Sequence, residues 1–315
     1  MVMMKKGGNP SMRISVSISP IWRKYNLSEP EIYRALKACG FDYADYDFCP
    51  ENADNGWKTA APKVWADNMK SRLADIGITL TSAHVSGINP AESEENRAAV
   101  TQAVLCAAAL GIENIVIPLG TAPNNSRAEY NRANIAYLSA LLPIAEDAGV
   151  TLLLEHAGSH LLPHHTHYAL ELEYLLGKLN YPDRLKISLN TGHMCVADIQ
   201  PYTEINILAP YIRHVDASDA FGSMPLAVHP ERETLGFAPL MGYADFDAIL
   251  QGLCEANYDG FFNLRMNMPR VFEKNSPHYE RARIPFMPQA LTERLYTWSL
   301  HAAQYMLSTY NCLDA

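Results

Sequence analysis

The sequence predicts an α/β fold of the (β/α)8 TIM-barrel class, organised as a single domain. Eight short β-rich runs alternate with amphipathic segments whose apolar residues recur at helical spacing. The strand runs are close to continuously apolar, as parallel strands covered by helices require. No GxGxxG follows the first run and no Walker loop occurs anywhere, which removes the phosphate-binding signature of a doubly wound open sheet. Closing eight units into a barrel uses every one of them and leaves no edge strand.

Each unit can be placed in order. MRISVSI, from Met12, is strand one. Its helix starts at Ser28-Glu29-Pro30-Glu31, a cap, a proline and an acidic first turn, and stops at Gly40. FDYADYDF is strand two, followed by WADNMKSRLADIG, which ends at Gly77. ITLTSAHVSG is strand three, and AAVTQAVLCAAALG ends at Gly111. ENIVIPLG is strand four; its helix NIAYLSALLPIAEDAG closes at Gly149 with Pro143 inside it. VTLLLEHAG leads to YALELEYLLGKL, and LKISLNTGH to a short TEINILAPY. IRHVDASD is strand seven, DFDAILQGLCEAN its helix, and GFFNLRMN strand eight. Between strand seven and its helix, 220–243 carries three prolines and three glycines and reads as a loop over the strand ends. Residues 1–11 are expected to be a disordered lead-in without the hydrophobic segment of a signal peptide. Residues 12–315 then form the barrel with its C-terminal helix LTERLYTWSLHAAQYML, whose Trp298, Leu300 and Tyr305 are expected on the barrel floor or between copies in a homo-oligomer.

A chain of 315 residues that is 48% hydrophobic can bury one large core. Its net charge of -9 repels phosphate backbones and anionic lipid, which argues against nucleic acid or a membrane as partner and for a small polar molecule. Six cysteines sit in or beside apolar runs with no CxxC pair, the pattern of free thiols in a reducing compartment. No apolar run is long enough to span a bilayer, so the cytoplasm is the expected location.

In a barrel the active site is built from the C-terminal ends of the strands. Glu155 ends an otherwise apolar strand five, where an unpaired carboxylate is costly, so it needs a partner. Asp216 on strand seven carries the same argument. His84 and His214 read equally as core or site residues. Asn190 and His193 end strand six, Asp219 follows strand seven, and Arg265 and Asn267 end strand eight, where the arginine serves at least to neutralise an acidic neighbour. Trp22, after strand one, is placed to offer an aromatic face to a ligand or to pack at the rim. His160, His164, His165 and His167 match neither HExxH nor a zinc-finger spacing and read as loop histidines over a pocket or in solvent.

The ordered series LLLEHAG, SLNTGH, IRHVDASDAFG and YADFDAILQGLCEANYDGFF resembles the xylose-isomerase-like TIM-barrel superfamily, which includes sugar isomerases, epimerases of the tagatose 3-epimerase type and inosose dehydratases. The similarity spans 12–268. The resemblance implies a divalent ion (Mn, Mg or Zn) held by Glu from strand five, Asp from strand six, His from strand seven and Glu from strand eight. Those positions fall here on Glu155, Asn190, Asp216 and Arg265, with His193 and Asp219 kept as the trailing residues of their motifs. Only Glu155 survives unchanged. Two carboxylates against one guanidinium leave the same single negative charge as the family's three carboxylates, imidazole and ion. The expectation is therefore a site with no metal or other cofactor, in which Arg265 supplies the ion's charge and pairs with Glu155 or Asp216. If an ion binds at all, Glu155, Asn190 and Asp216 are its ligands.

The resemblance implies a sugar isomerase, epimerase or lyase acting on a carbohydrate or sugar acid by proton abstraction. Glu155, Arg265 and His193 (or His214) would be its catalytic groups, and Trp22, His84, Asn190, His214, Asp216 and Asp219 its substrate contacts. An arginine in the pocket favours an acidic sugar such as a uronate or a phosphosugar. The alternative is a non-catalytic barrel that binds a carbohydrate or regulates a partner.

Overall fold

Eight parallel strands close on themselves in the order β1-β10-β7-β6-β5-β4-β3-β2. They are β1 (Arg13–Ser17), β2 (Tyr43–Phe48), β3 (Thr79–Val85), β4 (Asn114–Val116), β5 (Thr151–Glu155), β6 (Leu185–Asn190), β7 (Ile212–Ala217) and β10 (Phe261–Leu264). This computed structural model describes residues 10–18, 22, 25–50, 55–121, 126–156, 168–181, 183–222, 235–266 and 287–314. Most of the lead-in, the histidines from His160 to His167 and Asn267 lie outside them.

Outside the strands run α1 (Glu29–Ala38), α2 (Pro62–Leu73), α3 (Glu94–Leu110), α4 (Arg127–Asp147), α5 (Ala169–Leu179), α6 (Thr191–Val196), α7 (Pro201–Leu208), α8 (Phe246–Glu255) and α9 (Gln289–Thr309). The punctuation acts as the sequence predicts. Ser28 and Glu31 form a reciprocal capping box on α1, and Ser126 with Glu129 does the same on α4. α3 starts earlier than its apolar pattern because Ser93 accepts the backbone N–H of Asn96 ahead of two glutamates. Pro143 is accommodated inside α4.

Two local departures shape the site. Strand six ends at Asn190, and the following Thr-Gly-His turns into the short helix α6, because Asn190 Oδ1 accepts the N–H of His193 at 3.1 Å. After β7 the chain folds a two-stranded antiparallel ribbon, β8 (Asp219–Ala220) against β9 (Leu235–Phe237), where the sequence suggests only loop. Thr191 clasps the start of this ribbon: its Oγ1 accepts the N–H of Ser218 and donates to the Ser218 carbonyl.

The outer core includes a cluster of Tyr46, Phe48, Trp57 and Trp65 beside β2. The C-terminal helix does not plug the floor. α9 packs beside α1 and β1, with Leu300 buried, Trp298 and Tyr305 exposed, and the chain end pairing Leu313 with Met12. None of the six cysteines is in a disulfide; four are buried and Cys195 and Cys254 half-buried. Among the described residues no helix is long and apolar enough to cross a membrane.

Candidate active site

The inner face of the barrel is polar toward the strand ends. Period-two alternation sets polar residues in pairs two apart: Ser15 and Ser17, Asp45 and Asp47, Ser82 and His84, Ser188 and Asn190, His214 and Asp216, Asn263 and Arg265. Parallel register brings these pairs side by side, Ser17 beside Asp45, Asp45 beside Ser82, Asn263 beside Asp216, and Asp216 beside Asn190. Buried polar groups at such density are stable only if they bond to one another.

Asp216 is the centre of that bonding. Its Oδ1 accepts from Asn263 Nδ2 at 2.6 Å and faces His214 Nε2 at 3.2 Å, while Oδ2 accepts from Ser188 at 3.4 Å and lies 3.8 Å from His84 Nδ1. Asn263 also donates to Ser17 at 2.8 Å and accepts from Ser15 at 3.0 Å, and Ser17 in turn donates to Asp45 Oδ2 at 3.0 Å. Asp216 and Asp45 are thus two ends of one network that crosses β7, β10, β1 and β2.

Charge sorts the groups into roles. Burial alone would lift the Asp216 carboxyl, but His214, reinforced by Arg265, holds it well below the usual carboxylate range. Burial works against charge on His214 as well, and Asp216 outweighs it, so the pKa of the imidazole is raised and the two form an ion pair. His84 is pushed well down, first by burial and then by Arg265, and stands neutral. Asp45 is pushed up to about 6 by burial, against the pull of Arg265. Glu155 is raised by burial, with His193 opposing and Asp216 reinforcing.

Glu155 sits at the rim with 16% of its side chain exposed. Asn190 Nδ2 donates to its Oε1 at 3.0 Å. His193 Nδ1 lies 3.9 Å from its Oε2 and makes its short bond, 2.7 Å, to the carbonyl of His156. A carbonyl only accepts, so Nδ1 carries the proton, and Nε2 of His193 has no partner among the described residues.

Several expectations are corrected by this geometry. Arg265 does not bond to Glu155 or Asp216. Its Nη1 reaches Ser17 Oγ and Asp45 Oδ2, each at 3.5 Å, because barrel closure places β10 beside β1 and β1 beside β2. Asp45 therefore joins the site, and with it the carboxylates outnumber the guanidinium by one more than the strand-end inventory allows. Asp219 is buried with both oxygens committed to the backbone N–H groups of Ala220, Gly242 and Ala244, at 2.8, 2.8 and 2.9 Å. It stitches the β8–β9 ribbon to the chain behind it and presents nothing to a ligand; a Cβ on Gly242 would fall 2.5 Å from its Oδ1. Trp22 is fully buried, packed edge-on against Tyr25 and Tyr296, so its ring faces are spent on packing. Glu155, Asn190, His193, His84, His214, Asp216 and Arg265 do share one locale. Sequence inspection passed over Asp45, Ser17 and Asn263, although their polar pairing at period two within apolar strands was readable.

The four-ligand set of the resemblance does not fit this donor chemistry. Asn190 turns its N–H to Glu155 and spends Oδ1 on the α6 cap, so it offers no ligand oxygen. Arg265 puts a fixed cation at the fourth position. His84, Glu155 and Asp216 do bring one possible ligand atom each within 4.8 Å of one another, a reach a divalent ion can bridge, but the guanidinium acts on all three. A cavity of about 500 Å3 at the opposite end of the barrel, between Arg13, Tyr43, Glu113 and Tyr258, includes none of these residues.

Comparison with known proteins agrees with the architecture. Solved structures similar to this chain include D-psicose 3-epimerase with D-tagatose from Clostridium cellulolyticum H10, at 14% identity and a TM-score of 0.67, covering 94% of this chain and 99% of that one. The probable 3-DHS dehydratase AsbF of Bacillus anthracis matches at 16% identity and 0.66 over 93% and 99%. A D-tagatose 3-epimerase-like protein matches at 20% and 0.64 over 95% and 98%. At such identities the likeness is one of fold. No curated protein sequence matches. The profile of the family described as xylose isomerase-like TIM barrel matches residues 33–287, and the chain belongs to that family.

Proposed function

We propose that the protein is an isomerase or epimerase of a small carbohydrate or sugar acid that moves a proton at carbon without a resident divalent ion. The observation that carries this reading is the convergence of Glu155, His193, Arg265 and the His214–Asp216 pair at one mouth of a closed barrel. The epimerases among its structural neighbours support the substrate class.

Glu155 is the base. Burial raises its carboxyl, which makes the ionised form a stronger acceptor near neutral pH, and Asn190 holds one oxygen still. The C–H bond beside a substrate carbonyl breaks, its proton passes to Glu155, and its electron pair moves to the carbonyl oxygen as an enediolate. Arg265, surrounded by carboxylates that keep it charged, stabilises that oxygen. His193, with Nδ1 pinned, takes the proton of the adjacent substrate hydroxyl at Nε2 and passes it to the former carbonyl oxygen, and Glu155 returns its own proton to carbon, so both groups end as they began. His214 and Asp216 neutralise each other and anchor the floor of the site.

The test is deuterium wash-in from D2O into a panel of ketoses, aldoses and uronates, together with metal analysis of protein purified without chelator. Exchange at carbon by wild type and its loss in Glu155→Gln, with the fold retained, is the expected result. Sugar binding without exchange would favour the non-catalytic barrel instead. Stoichiometric Mn, Mg or Zn would overturn the metal-free mechanism.

A further inference from the structure

Among the described residues the guanidinium of Arg265 is held only by long bonds. It is mostly buried, with 23% of the side chain exposed, and carries five N–H donors. Among the described residues only Nη1 is engaged, and both of its bonds are 3.5 Å, well beyond the length of a charge-assisted N–H···O bond, about 2.7–2.9 Å. Nε and Nη2 have no hydrogen bond among the described residues. Asp45 is the mirror case. Its Oδ2 is shared by Ser17 and Arg265, while Oδ1 is buried with no hydrogen-bond partner. Ser82 Oγ, on the neighbouring strand at the same register, is buried and directed to the Asp45 carboxylate, which it helps to keep charged, while His84 Nδ1 is buried without a hydrogen bond. A loosely held arginine fork therefore faces a set of open polar atoms at the β2–β3 side of the pocket.

We infer that this corner is the recognition site for a substrate carboxylate, with Arg265 releasing Asp45 to take both carboxylate oxygens. The inference rests on the proton-transfer reading above and names its substrate class as a sugar acid. The choice of carboxylate over phosphate follows from geometry and charge. A planar fork matches two coplanar oxygens, whereas a dianionic phosphate would meet Asp45, Asp47, Glu155 and Asp216 around a single arginine. A neutral sugar offers the fork neither a charge nor two coplanar oxygens, so it forgoes the bidentate charge-assisted pair.

Calorimetric titration of the full chain with matched pairs decides the matter: D-glucuronate against D-glucose, D-galacturonate against D-galactose, with D-glucose 6-phosphate as the phosphate arm. The expected result is that one uronate binds at least about tenfold tighter than its neutral partner and tighter than the phosphate. Arg265→Gln removes that difference, Arg265→Lys keeps part of it, and Asp45→Asn, which frees the fork from its competitor, tightens uronate binding. The wild-type comparison stands even if a variant fails to fold. Equal binding of uronate and aldose, preference for the phosphate, no binding of any uronate, or an Arg265→Gln variant that keeps the uronate preference each overturns the inference. Uronate binding without deuterium exchange leaves this recognition site standing and defeats the proton-transfer reading; exchange into a neutral ketose with no carboxylate preference does the reverse.

Discussion

Asn190 donates its side-chain N–H to Glu155 Oε1 at 3.0 Å while its carbonyl oxygen caps the helix that follows. One amide thus orients the proposed base and ends strand six. A carboxylate at position 190 would serve the cap equally well but would stand against Glu155 as a like charge unless a cation lay between them.

That relationship makes the metal question testable by substitution. Asn190→Asp together with Arg265→Glu exchanges an amide and a cation for two carboxylates around His84, Glu155 and Asp216. The double variant is expected to bind Mn2+ at least about a hundredfold more tightly than wild type, read by titration with electron paramagnetic resonance. Equal affinity of the two proteins would show that Arg265 does not keep the ion out.

Stability should carry a mark of Asp45. Its carboxyl is pushed up to about 6 in the folded chain, against about 4 when unfolded, so the folded state binds the proton more tightly. The stability this confers is complete below pH 4, is lost as pH rises through 6, and is level above that. Asp45→Asn removes the dependence. Urea unfolding of the two proteins from pH 4 to 7 should show wild type losing about 2 kcal/mol relative to the variant across that window. Parallel pH profiles would place the titration elsewhere.

Asp219 tests structure against ligand contact. Asp219→Ala leaves three backbone N–H groups of the ribbon without their acceptor. A loss of about 3 kcal/mol and a Tm lower by roughly 5 °C or more are expected. If the variant is as stable as wild type and only ligand binding suffers, Asp219 belongs to the pocket after all.

For Trp22 the expectation is a packing defect. Trp22→Ala should cost about 3–5 kcal/mol in chemical denaturation, since the indole fills space against Tyr25 and Tyr296. Sugar affinity of the folded fraction, measured by calorimetry, is expected to stay unchanged.

Much of this molecule is legible in one dimension. Alternation of apolar runs with helical periods gives the eight units and their order, because burial on both faces of a strand and on one face of a helix leaves different periods in the chain. Ser28, Ser126, Gly40 and Gly111 mark helix ends through backbone hydrogen bonds and left-handed φ angles that act within a few residues. Glu155 and Asp216 announce themselves as carboxylates in apolar strands, a local anomaly.

What the chain alone left open was which of these groups meet. Ring closure set β10 against β1, and only that gave Arg265 to Asp45, a partner 220 residues away in sequence. The same holds for Trp22 against Tyr296, and for Asp219 bonded to a backbone segment more than twenty residues downstream. Residue type and spacing encode the cost of burying a charge. They do not encode the identity of the group that offsets it, because in a barrel that group is chosen by neighbouring strands in space.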